Sequence, residues 1–423
     1  MFNNLKKGVN VGNYTLNQNI KIYSLSTTYP DSMDSTKPKF VHIVNRELAK
    51  LGVSVKVITP HSKGSKTKQV MDSVTIKRFR YLPENLELNY SSVAEEVAKS
   101  KFGMMKIVFL TLGLIFSTIA ECIKEKPDII HGHWAFPGGY VASVVSKIFG
   151  IKYVVSIHGG EIPLLKKFRF LQKPVVASLN RSAQVIVNSN YSQDELEKIG
   201  VKNEKIIRIY PPPNFVKHCS DEDFLKKFKS KLVDDDTKII LFCGRLTERK
   251  GVEYLIKSLA EINSKIHLII AGGGGQEENL KNLTSSLHLD NKITFFGRAK
   301  DDELGFLHDI GDVFVCPSIV DSHGETEALG LVIPEAMESE MPVIGTSVGG
   351  IPDMIKNEIN GILVPQKDPK AIAKAIDKIL NTPEFTKKII QNSKDTVKEF
   401  LPEIIAKKYL KVFQDIMTTK KTN

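Results

Sequence analysis

Residues 321–351, DSHGETEALGLVIPEAMESEMPVIGTSVGGI, carry the strongest indication of fold and site in this chain of 423 residues. Pro334 fits the first turn of a helix, where its missing N–H costs no hydrogen bond. Gly330 permits close approach of the backbone to a ligand, and the N–H groups at such a helix start are free to bind phosphate. Glu327 and Glu335, eight residues apart, are placed to bracket that ligand, although Glu335 is also explained as a residue that stabilises the helix dipole.

Outward from this segment, short apolar runs alternate with helical stretches along the chain. This alternation predicts parallel sheets covered by helices on both faces. Strands are predicted at residues 20–25, 53–59, 129–131, 153–157, 184–188, 206–209, 239–242, 267–271, 293–296, 313–315 and 343–345. The strands of the second series end in glycine-rich or polar turns, and doubly wound sheets bind ligands at these carboxyl ends.

The length of the chain exceeds what one hydrophobic core usually supports, so at least two domains are expected. The run YPPPN at residues 210–214 continues neither a helix nor a central strand, because proline lacks an N–H and fixes φ. We therefore predict a tail at residues 1–19, a first Rossmann-like domain at 20–211 and a second at 212–400. An amphipathic helix in residues 401–423 is expected to pack back toward the first domain.

Cations follow the first strand of the second series, in the sequence LFCGRLTERKG at residues 241–251. Gly244 and Arg245 end the strand, and Lys250 lies at the start of the next helix. Two fixed cations beside a helix N-terminus suit a pyrophosphate, and they can neutralise a leaving diphosphate without a metal ion. Ordinary surface charge remains the alternative interpretation.

Histidines follow two strands of the first domain, in HGHW at residues 131–134 and SIHGG at 156–160. His158, followed by two glycines, is interpreted as a pocket residue, and His133 and Glu161 are candidates for contact with an acceptor. Three histidines are also the kind of residue that binds zinc. The spacing typical of zinc ligands and a carboxylate cluster are missing, however, so no metal is expected. The glycine run 272–275 lies in the second domain and does not match a dinucleotide-binding fingerprint.

The positive charge is concentrated in the first half of the chain. The net charge is +11, whereas residues 1–211 hold 30 Lys and Arg against 16 Asp and Glu, a net of +14, which leaves −3 for the rest. An anionic membrane or a phosphorylated acceptor fits this excess, as does a basic surface that only aids solubility. No RNA- or DNA-reading motif is present, so no nucleic-acid partner is expected.

Three further features of the sequence concern membrane contact and cellular compartment. The uncharged run at residues 107–120 predicts a helix of about 14 residues, shorter than the ~20 of a membrane span, either buried in the core or at an interface. The basic-apolar run LLKKFRFL at residues 164–171 favours a peripheral membrane surface. Unpaired cysteines and a polar start without a signal peptide favour a cytoplasmic protein, at the inner face of the membrane.

The ordered motifs HGHW, SIHGG, FCGRLTERKG, AGGG, FFGR, PSIVDSHGETEALGLVIPEAM and VGGIPD resemble those of the retaining glycosyltransferases of the GT-B architecture, glycosyltransferase family 4. The resemblance spans roughly residues 20–392. It implies two Rossmann-like domains facing a central cleft, the first binding the acceptor and the second a nucleotide sugar. It further implies transfer of a hexose-type sugar to a glycan or lipid-linked acceptor, with retention and without a metal ion.

The resemblance also implies a role for individual residues. Arg245 and Lys250 hold the donor diphosphate, and Glu327 contacts sugar hydroxyls. The backbone of Leu329, Gly330 and Leu331 binds sugar and phosphate. Glu335 binds the ribose hydroxyls, the backbone near Arg298 lies beside the base, and His158 lies next to the transferred sugar.

The chain departs from the family pattern at three places. The loop at residues 26–39 has no glycine, residues 338–340 replace a small residue and a glycine, and Asp353 stands where a glutamate is usual. Two other functions stay open at this point. One is a nucleotide-sugar 2-epimerase, which turns over donor without an acceptor, and the other is a non-catalytic nucleotide-sugar-binding protein.

Overall fold

A computed structural model of the chain describes residues 20–32, 35, 37–88, 101–262 and 264–418. These residues form two sheets, one of eight strands and one of six, each covered by helices on both faces. The predicted architecture of two doubly wound α/β domains is confirmed.

The first sheet has the strand order β3-β4-β2-β1-β5-β6-β7-β8, with β3 antiparallel to β4 and the other described pairs parallel. Its strands are β1 (Lys21–Leu25), β2 (Ser54–Pro60), β3 (Lys68–Met71), β4 (Val74–Phe79), β5 (Ile129–His133), β6 (Lys152–Ile157), β7 (Gln184–Val187) and β8 (Ile206–Arg208). Its helices are α1 (Phe40–Lys50), α2 (Lys101–Lys124), α3 (Tyr140–Phe149), α4 (Ile162–Lys167), α5 (Arg169–Arg181) and α6 (Asn190–Lys198).

The second sheet has the order β11-β10-β9-β12-β13-β14 and is parallel throughout. Its strands are β9 (Lys238–Cys243), β10 (Ile266–Ala271), β11 (Ile293–Gly297), β12 (Val313–Cys316), β13 (Val343–Thr346) and β14 (Ile362–Val364). The helices of this half are α7 (Glu222–Ser230), α8 (Val252–Ser258), α9 (Glu277–Ser286), α10 (Asp301–Ile310), α11 (Val332–Glu338), α12 (Ile351–Met354), α13 (Pro369–Asn381) and α14 (Pro383–Glu399).

Strand residues of the second sheet alternate between two buried layers. Ile240 and Phe242 pack on the side of α8 and α13, whereas Ile239 and Leu241 pack on the side of α10, α11 and the end of α14. A sheet buried on both faces needs apolar residues at every strand position, which explains why β9 and β10 read as continuous apolar runs.

The last helix of the described chain, α15 (Pro402–Thr418), lies on the first sheet rather than the second. Its buried residues Ile405, Tyr409 and Phe413 share a core with α1 and with strand residues such as Ile22. Proline at residue 402 interrupts the helical hydrogen bonding between α14 and α15, so the chain can change direction there. The second half of the chain thus ends against the first domain.

Three strands were absent from the sequence prediction: β3, β4 and β14. Strand β3 is an edge strand with exposed or half-exposed residues, so it lacks the apolar run by which buried strands are recognised. Asp72 and Ser73, both with positive φ, make the turn into β4. Strand β14 has only three residues, too few for a periodic signal.

Helix α2 is longer than the predicted segment of about 14 residues. It covers 24 residues, and its part Gly103–Lys124 is long and apolar enough to cross a membrane by length and composition, with 39% of its most apolar window buried. Core helices of soluble proteins reach the same length and composition, so these two properties do not by themselves assign α2 to a membrane. The predicted segment is too short because it covers only the uncharged run, whereas the helix also contains the charged residues Lys101, Lys106 and Glu121.

Polar contacts join the two halves at the carboxyl ends of the sheets. Lys39 Nζ lies 2.7 Å from Asp301 Oδ2. The backbone N and side-chain Nδ2 of Asn190 donate to the Asp353 carboxylate at 2.6 and 2.8 Å. Asp353, one of the departures from the family pattern, therefore caps the start of α6 in the other domain.

Candidate active site

Glu327 lies in the loop before α11 and is held by two cations. Its Oε2 accepts a hydrogen bond from Lys250 Nζ at 2.5 Å and from Arg249 Nη1 at 3.0 Å. Burial opposes ionisation of this carboxyl, but the charges of Lys250 and Arg249 outweigh it and lower the pKa of Glu327 to about 2. Glu327 is therefore an anion at neutral pH, paired inside the second domain.

Glycines fix the loop that carries Glu327. Gly349 has φ +55°, and a Cβ there would lie 1.9 Å from the carbonyl oxygen of Glu327. A Cβ at Gly350 would lie 2.2 Å from the carbonyl oxygen of Ala328, while its N–H donates to Glu327 O at 2.9 Å. The pair GG in VGGIPD is thus required by close backbone packing behind the predicted donor site.

Glu335 lies in the first turn of α11, as expected from the proline two residues inside the helix. Its Oε1 accepts a hydrogen bond from the backbone N of Asn214 at 3.1 Å, in the segment that connects the two domains. Burial raises the pKa of Glu335 to about 8, against the opposing effects of that N–H and of Lys250. This carboxyl is therefore mostly protonated at neutral pH and can donate a hydrogen bond.

Gly244, Arg245 and Arg298 lie on loops that follow β9 and β11. Arg245 is exposed. A Cβ at Gly272 would lie 1.8 Å from the carbonyl oxygen of Gly244 and one at Gly274 would lie 2.4 Å from that of Leu246, while Arg298 lies at ordinary contact distance from Gly273. The glycine run 272–275 therefore lets three loops meet at one edge of the sheet, which gathers the predicted diphosphate and base contacts.

His158 follows β6 and contacts aromatic rings of the first domain. Its ring centroid lies 4.8 Å from those of Phe40 and Trp134. Burial, together with the nearby His131, lowers the pKa of His158 to about 3, so the ring is neutral at physiological pH. The following residue, Gly159, faces the second domain closely enough that a Cβ would lie 2.3 Å from that of Ala328.

His133 and Glu161, the two acceptor-side candidates, are 2% and 4% exposed. His133 Nδ1 lies 3.2 Å from His158 Nε2. The Glu161 carboxylate accepts from the backbone N of His158 at 3.2 Å and of Ala135 at 3.3 Å. Both side chains have partners inside the domain, so in this conformation they support the His158 loop rather than present a surface to an acceptor.

Among the described residues, one group has the composition of a metal site, and the sequence analysis did not find it: Glu248, Asp321 and His323. The Glu248 carboxylate already accepts from the backbone N and Oγ of Ser322 at 2.9 and 2.7 Å. Asp321 Oδ1 accepts from the backbone N of His323 at 2.9 Å. These oxygens stabilise an exposed loop, and the expected independence of metal stays a prediction.

Arg249 is the main residue that the sequence analysis left unassigned. It belongs to the quoted RKG motif, but its contact with Glu327 spans 78 positions and is visible only in the folded chain. Its backbone carbonyl also accepts from Ile319 N at 2.8 Å, which ties the RKG turn to the segment after β12.

Family models match most of the chain. Residues 39–214 match the model described as "Glycosyltransferase Family 4" and residues 223–396 the model "Glycosyl transferases group 1". An uncharacterised glycosyltransferase of Methanocaldococcus jannaschii is 34% identical over 308 residues, which cover 69% of this chain and 76% of the relative.

Solved structures share the fold across most of the chain. Sucrose-phosphate synthase from Thermosynechococcus elongatus superposes with a TM-score of 0.76 at 21% identity, covering 94% of this chain and 99% of its own. The Anabaena protein HepE in complex with UDP-glucose gives a TM-score of 0.70 at 19% identity and covers 94% of this chain and 100% of its own. On the family models, the archaeal relative and the shared two-domain fold, this chain belongs to the GT-B glycosyltransferases, with a family 4 domain followed by a group 1 domain.

Proposed function

We propose that the chain moves a hexose-type sugar from a nucleotide-diphosphate sugar to a glycan or lipid-linked acceptor, with retention of configuration and without a metal ion. The observation that carries the proposal is the cluster of Glu327, Lys250 and Arg249 beside the start of α11. Two cations share one carboxylate there, which leaves positive charge available for an anionic ligand. Arg245, exposed on the adjacent loop, adds a further cation.

The donor diphosphate is the ligand that suits this charge. Arginine and lysine form strong charge-assisted hydrogen bonds to phosphate oxygens, and the backbone N–H groups of residues 329–331 add to them at the helix start. Because the cations are held in place before the donor arrives, they need little reorganisation as the sugar–phosphate bond breaks and negative charge develops. HepE, whose structure contains UDP-glucose, shares this fold and makes that nucleotide sugar a natural first probe.

The transferred sugar lies, in this proposal, between Glu327 and His158. Glycosyl transfer passes through an oxocarbenium-like state, and an ionised Glu327 stabilises positive charge on the ring while binding its hydroxyls. His158 acts as a neutral hydrogen-bonding group, since its lowered pKa prevents it from holding a second proton. The departing diphosphate accepts the proton of the attacking hydroxyl on the same face, which retains the anomeric configuration.

Glu335 is proposed to bind the ribose hydroxyls of the donor. A carboxyl group that is protonated at neutral pH offers both an O–H donor and an acceptor oxygen. The backbone N–H of Asn214, at the domain connection, already fixes one of its oxygens. Ribose binding would therefore connect the donor directly to the segment that joins the two domains.

The acceptor is proposed to reach the first domain from an anionic membrane at the cytoplasmic face. Helices α2, α3 and α5 cover one face of the first sheet. Helix α2 exposes large apolar side chains there, with Phe116 66% exposed and Ile123 72%. Next to the His158 loop, α4 and α5 expose Leu164 and Phe170 together with basic residues. Apolar side chains beside cations are what a peripheral membrane surface requires.

A thermal-shift screen with UDP-, GDP- and ADP-sugars tests the proposal at its first step, because a ligand that binds the native state stabilises it. We expect one nucleotide class to raise Tm with and without EDTA. Incubation of that donor with membrane extract should then give a glycosylated product whose anomeric configuration matches the donor. Conversion of the donor to its 2-epimer without any acceptor would contradict the transferase proposal, and binding without turnover would indicate a non-catalytic binding protein.

A further inference from the structure

A continuous chain of hydrogen bonds crosses the core of the first domain, from Asp72 at the surface to His158 at the cleft. It runs from the turn between β3 and β4 through side chains of α1, the loop after β1, β1 itself and β5. His42, Asn45, Ser24 and His133 along this path are buried. Because buried polar groups are costly unless paired, such a path inside an otherwise apolar core calls for an explanation.

The direction of donation along this hydrogen-bond path is first fixed at its surface end. His42 Nε2 lies 2.9 Å from Asp72 Oδ2, and a carboxylate can only accept a hydrogen bond there. Burial lowers the pKa of His42, against the effect of Asp72, so the ring is neutral at pH 7 and carries its one hydrogen on Nε2. Its Nδ1 is then an acceptor, and Tyr29 Oη, at 2.8 Å, donates to it.

The direction of donation reverses at Asn45, whose amide nitrogen donates both outward to Tyr29 and inward to Ser24. Tyr29 has used its hydrogen, so its oxygen accepts from Asn45 Nδ2 at 3.5 Å, a long contact. The same amide nitrogen donates to Ser24 Oγ at 3.2 Å. Asn45 Oδ1 has no partner among the described residues, whereas its amide nitrogen contacts both oxygens.

From Ser24 the hydrogen bonds donate inward, toward the histidines. Since Ser24 Oγ accepts from Asn45, its own hydrogen is available to His133 Nε2 at 3.2 Å. His133 is neutral because burial and the neighbouring histidines lower its pKa, so its hydrogen lies on Nδ1 and is donated to His158 Nε2 at 3.2 Å. The hydrogen of His158 must then be on Nδ1, to which no described residue bonds.

We propose that Ser24 and His133 are positioning residues that hold His158 in the Nδ1–H tautomer and so aim an N–H donor at the donor sugar. The rings of His133 and His158, with centroids 5.4 Å apart and planes 13° from parallel, lie nearly in one plane, as an N–H···N hydrogen bond between them requires. The part of this inference that concerns the sugar rests on the proposed function, whereas the tautomer itself does not.

A second buried serine provides a matched control for Ser24. Ser156 lies on β6, is equally buried, and its Oγ lies 2.8 Å from the Nε2 of a different histidine, His131. Replacement of Ser156 by alanine removes its contacts with His131 Nε2 and, at 3.3 Å, with Tyr409 Oη, and leaves the path to His158 intact. Ser24→Ala removes the one hydroxyl that orients His133.

Nitrogen-15 NMR of histidine-labelled protein without ligand is the deciding measurement, with His158→Gln used for assignment. We expect the His158 ring to show a protonated Nδ1 in the wild type and in Ser156→Ala, and a population with protonated Nε2 in Ser24→Ala. In turnover assays, Ser24→Ala should lower kcat by about tenfold with little change in KM, as for loss of an oriented proton-transfer or hydrogen-bonding group, while Ser156→Ala stays within about twofold.

A wild-type His158 protonated on Nε2 would overturn the proposal without any variant, so misfolding of Ser24→Ala cannot hide the answer. An unchanged tautomer in folded Ser24→Ala would overturn it as well. If the wild type shows the Nδ1–H form but turns over no nucleotide sugar, the proposed function fails and the positioning chain stands.

Discussion

Lys250 and Glu327 form an ion pair inside the second domain, with Nζ 2.5 Å from Oε2 and side chains that are 10% and 11% exposed. The pair joins the turn after β9 to the loop before α11, 77 positions apart. Arg249 binds the same oxygen, so the carboxylate balances one of two charges. In the proposed reaction this surplus is what the donor diphosphate neutralises.

Substitution of one partner in this cluster should destabilise the fold. Lys250→Met leaves Glu327 with Arg249 alone, so we expect a loss of about 2 kcal/mol in the free energy of unfolding, below the roughly 3–5 kcal/mol seen when a buried charge loses its only partner. Denaturant unfolding measures this. In a double-mutant cycle with Glu327→Gln, the two changes should not be additive; additive losses would show that the ion pair does not exist in solution.

The ion pair also predicts a dependence of stability on pH. The folded-state pKa of Glu327, about 2, is below its ordinary value of 4.5, so the unfolded chain binds this proton more readily. The stabilisation is therefore complete above pH 4.5 and is lost as pH falls from 4.5 toward 2. Unfolding free energies of the wild type and Glu327→Gln should converge over that window, and a difference that stays constant would contradict the assignment.

The contribution of Glu335 to folding stability should depend on pH with the opposite sign. Its folded-state pKa, about 8, is above 4.5, so its contribution favours folding below pH 4.5 and is lost as pH rises toward 8. Compared with Glu335→Gln, the wild type should lose stability between these values. The comparison must be made against this variant because His218, whose pKa is raised to about 9 by Glu338 and Asp309, also loses its contribution as pH rises above 6.5.

The glycine behind the Glu327 loop gives a steric test. At residue 349, where φ is +55°, the Cβ of Gly349→Ala would lie 1.9 Å from the carbonyl oxygen of Glu327. The backbone at either residue can relieve this clash only by shifting Glu327. We expect weaker donor binding and a lower Tm. Gly150→Ala, at the end of α3, where φ is +62° and nothing lies within 4 Å of the new Cβ, is the control and should bind the donor as the wild type does. Equal behaviour of the two variants would mean that the loop is not tightly packed.

Membrane contact is tested by flotation with vesicles of phosphatidylcholine alone or with phosphatidylglycerol. Phe116→Ser on α2 and Phe170→Ser on α5 should each reduce binding to the anionic vesicles by about tenfold or more, because burying a phenylalanine side chain contributes about 1.5–3 kcal/mol. Val70→Ser on the edge strand β3 removes an equally exposed apolar side chain away from this face and should have no effect. Equal flotation with both lipid mixtures would count against an anionic membrane.

Sequence reasoning located the strands that carry the site because β9, β10, β12 and β13 are buried on both faces and read as uninterrupted apolar runs. The start of α11 was found from Pro334 and the two glutamates, since helix-start signals are local. Strand β3 was missed because an exposed edge strand has no such signal.

Contacts between distant segments could not be predicted in this way. The bond from Arg249 to Glu327 depends on how the two loops meet, and nothing in either motif specifies it. His133 was selected as a site residue, but its link through Ser24 to α1 depends on three elements packing together. The length of α2 was underestimated because the prediction covered only the uncharged run, whereas the helix also contains charged residues.

The central claim is that Arg245 and Lys250 hold the diphosphate of a nucleotide sugar. Titration calorimetry with UDP-glucose, or with the nucleotide sugar that the thermal-shift screen selects, tests it most directly on the wild type, Arg245→Gln and Lys250→Gln. Each variant should bind the donor about 10- to 100-fold more weakly, as expected for loss of a charged hydrogen bond, and should lose turnover in parallel. Donor affinity and turnover that remain at wild-type level in both variants would contradict the account.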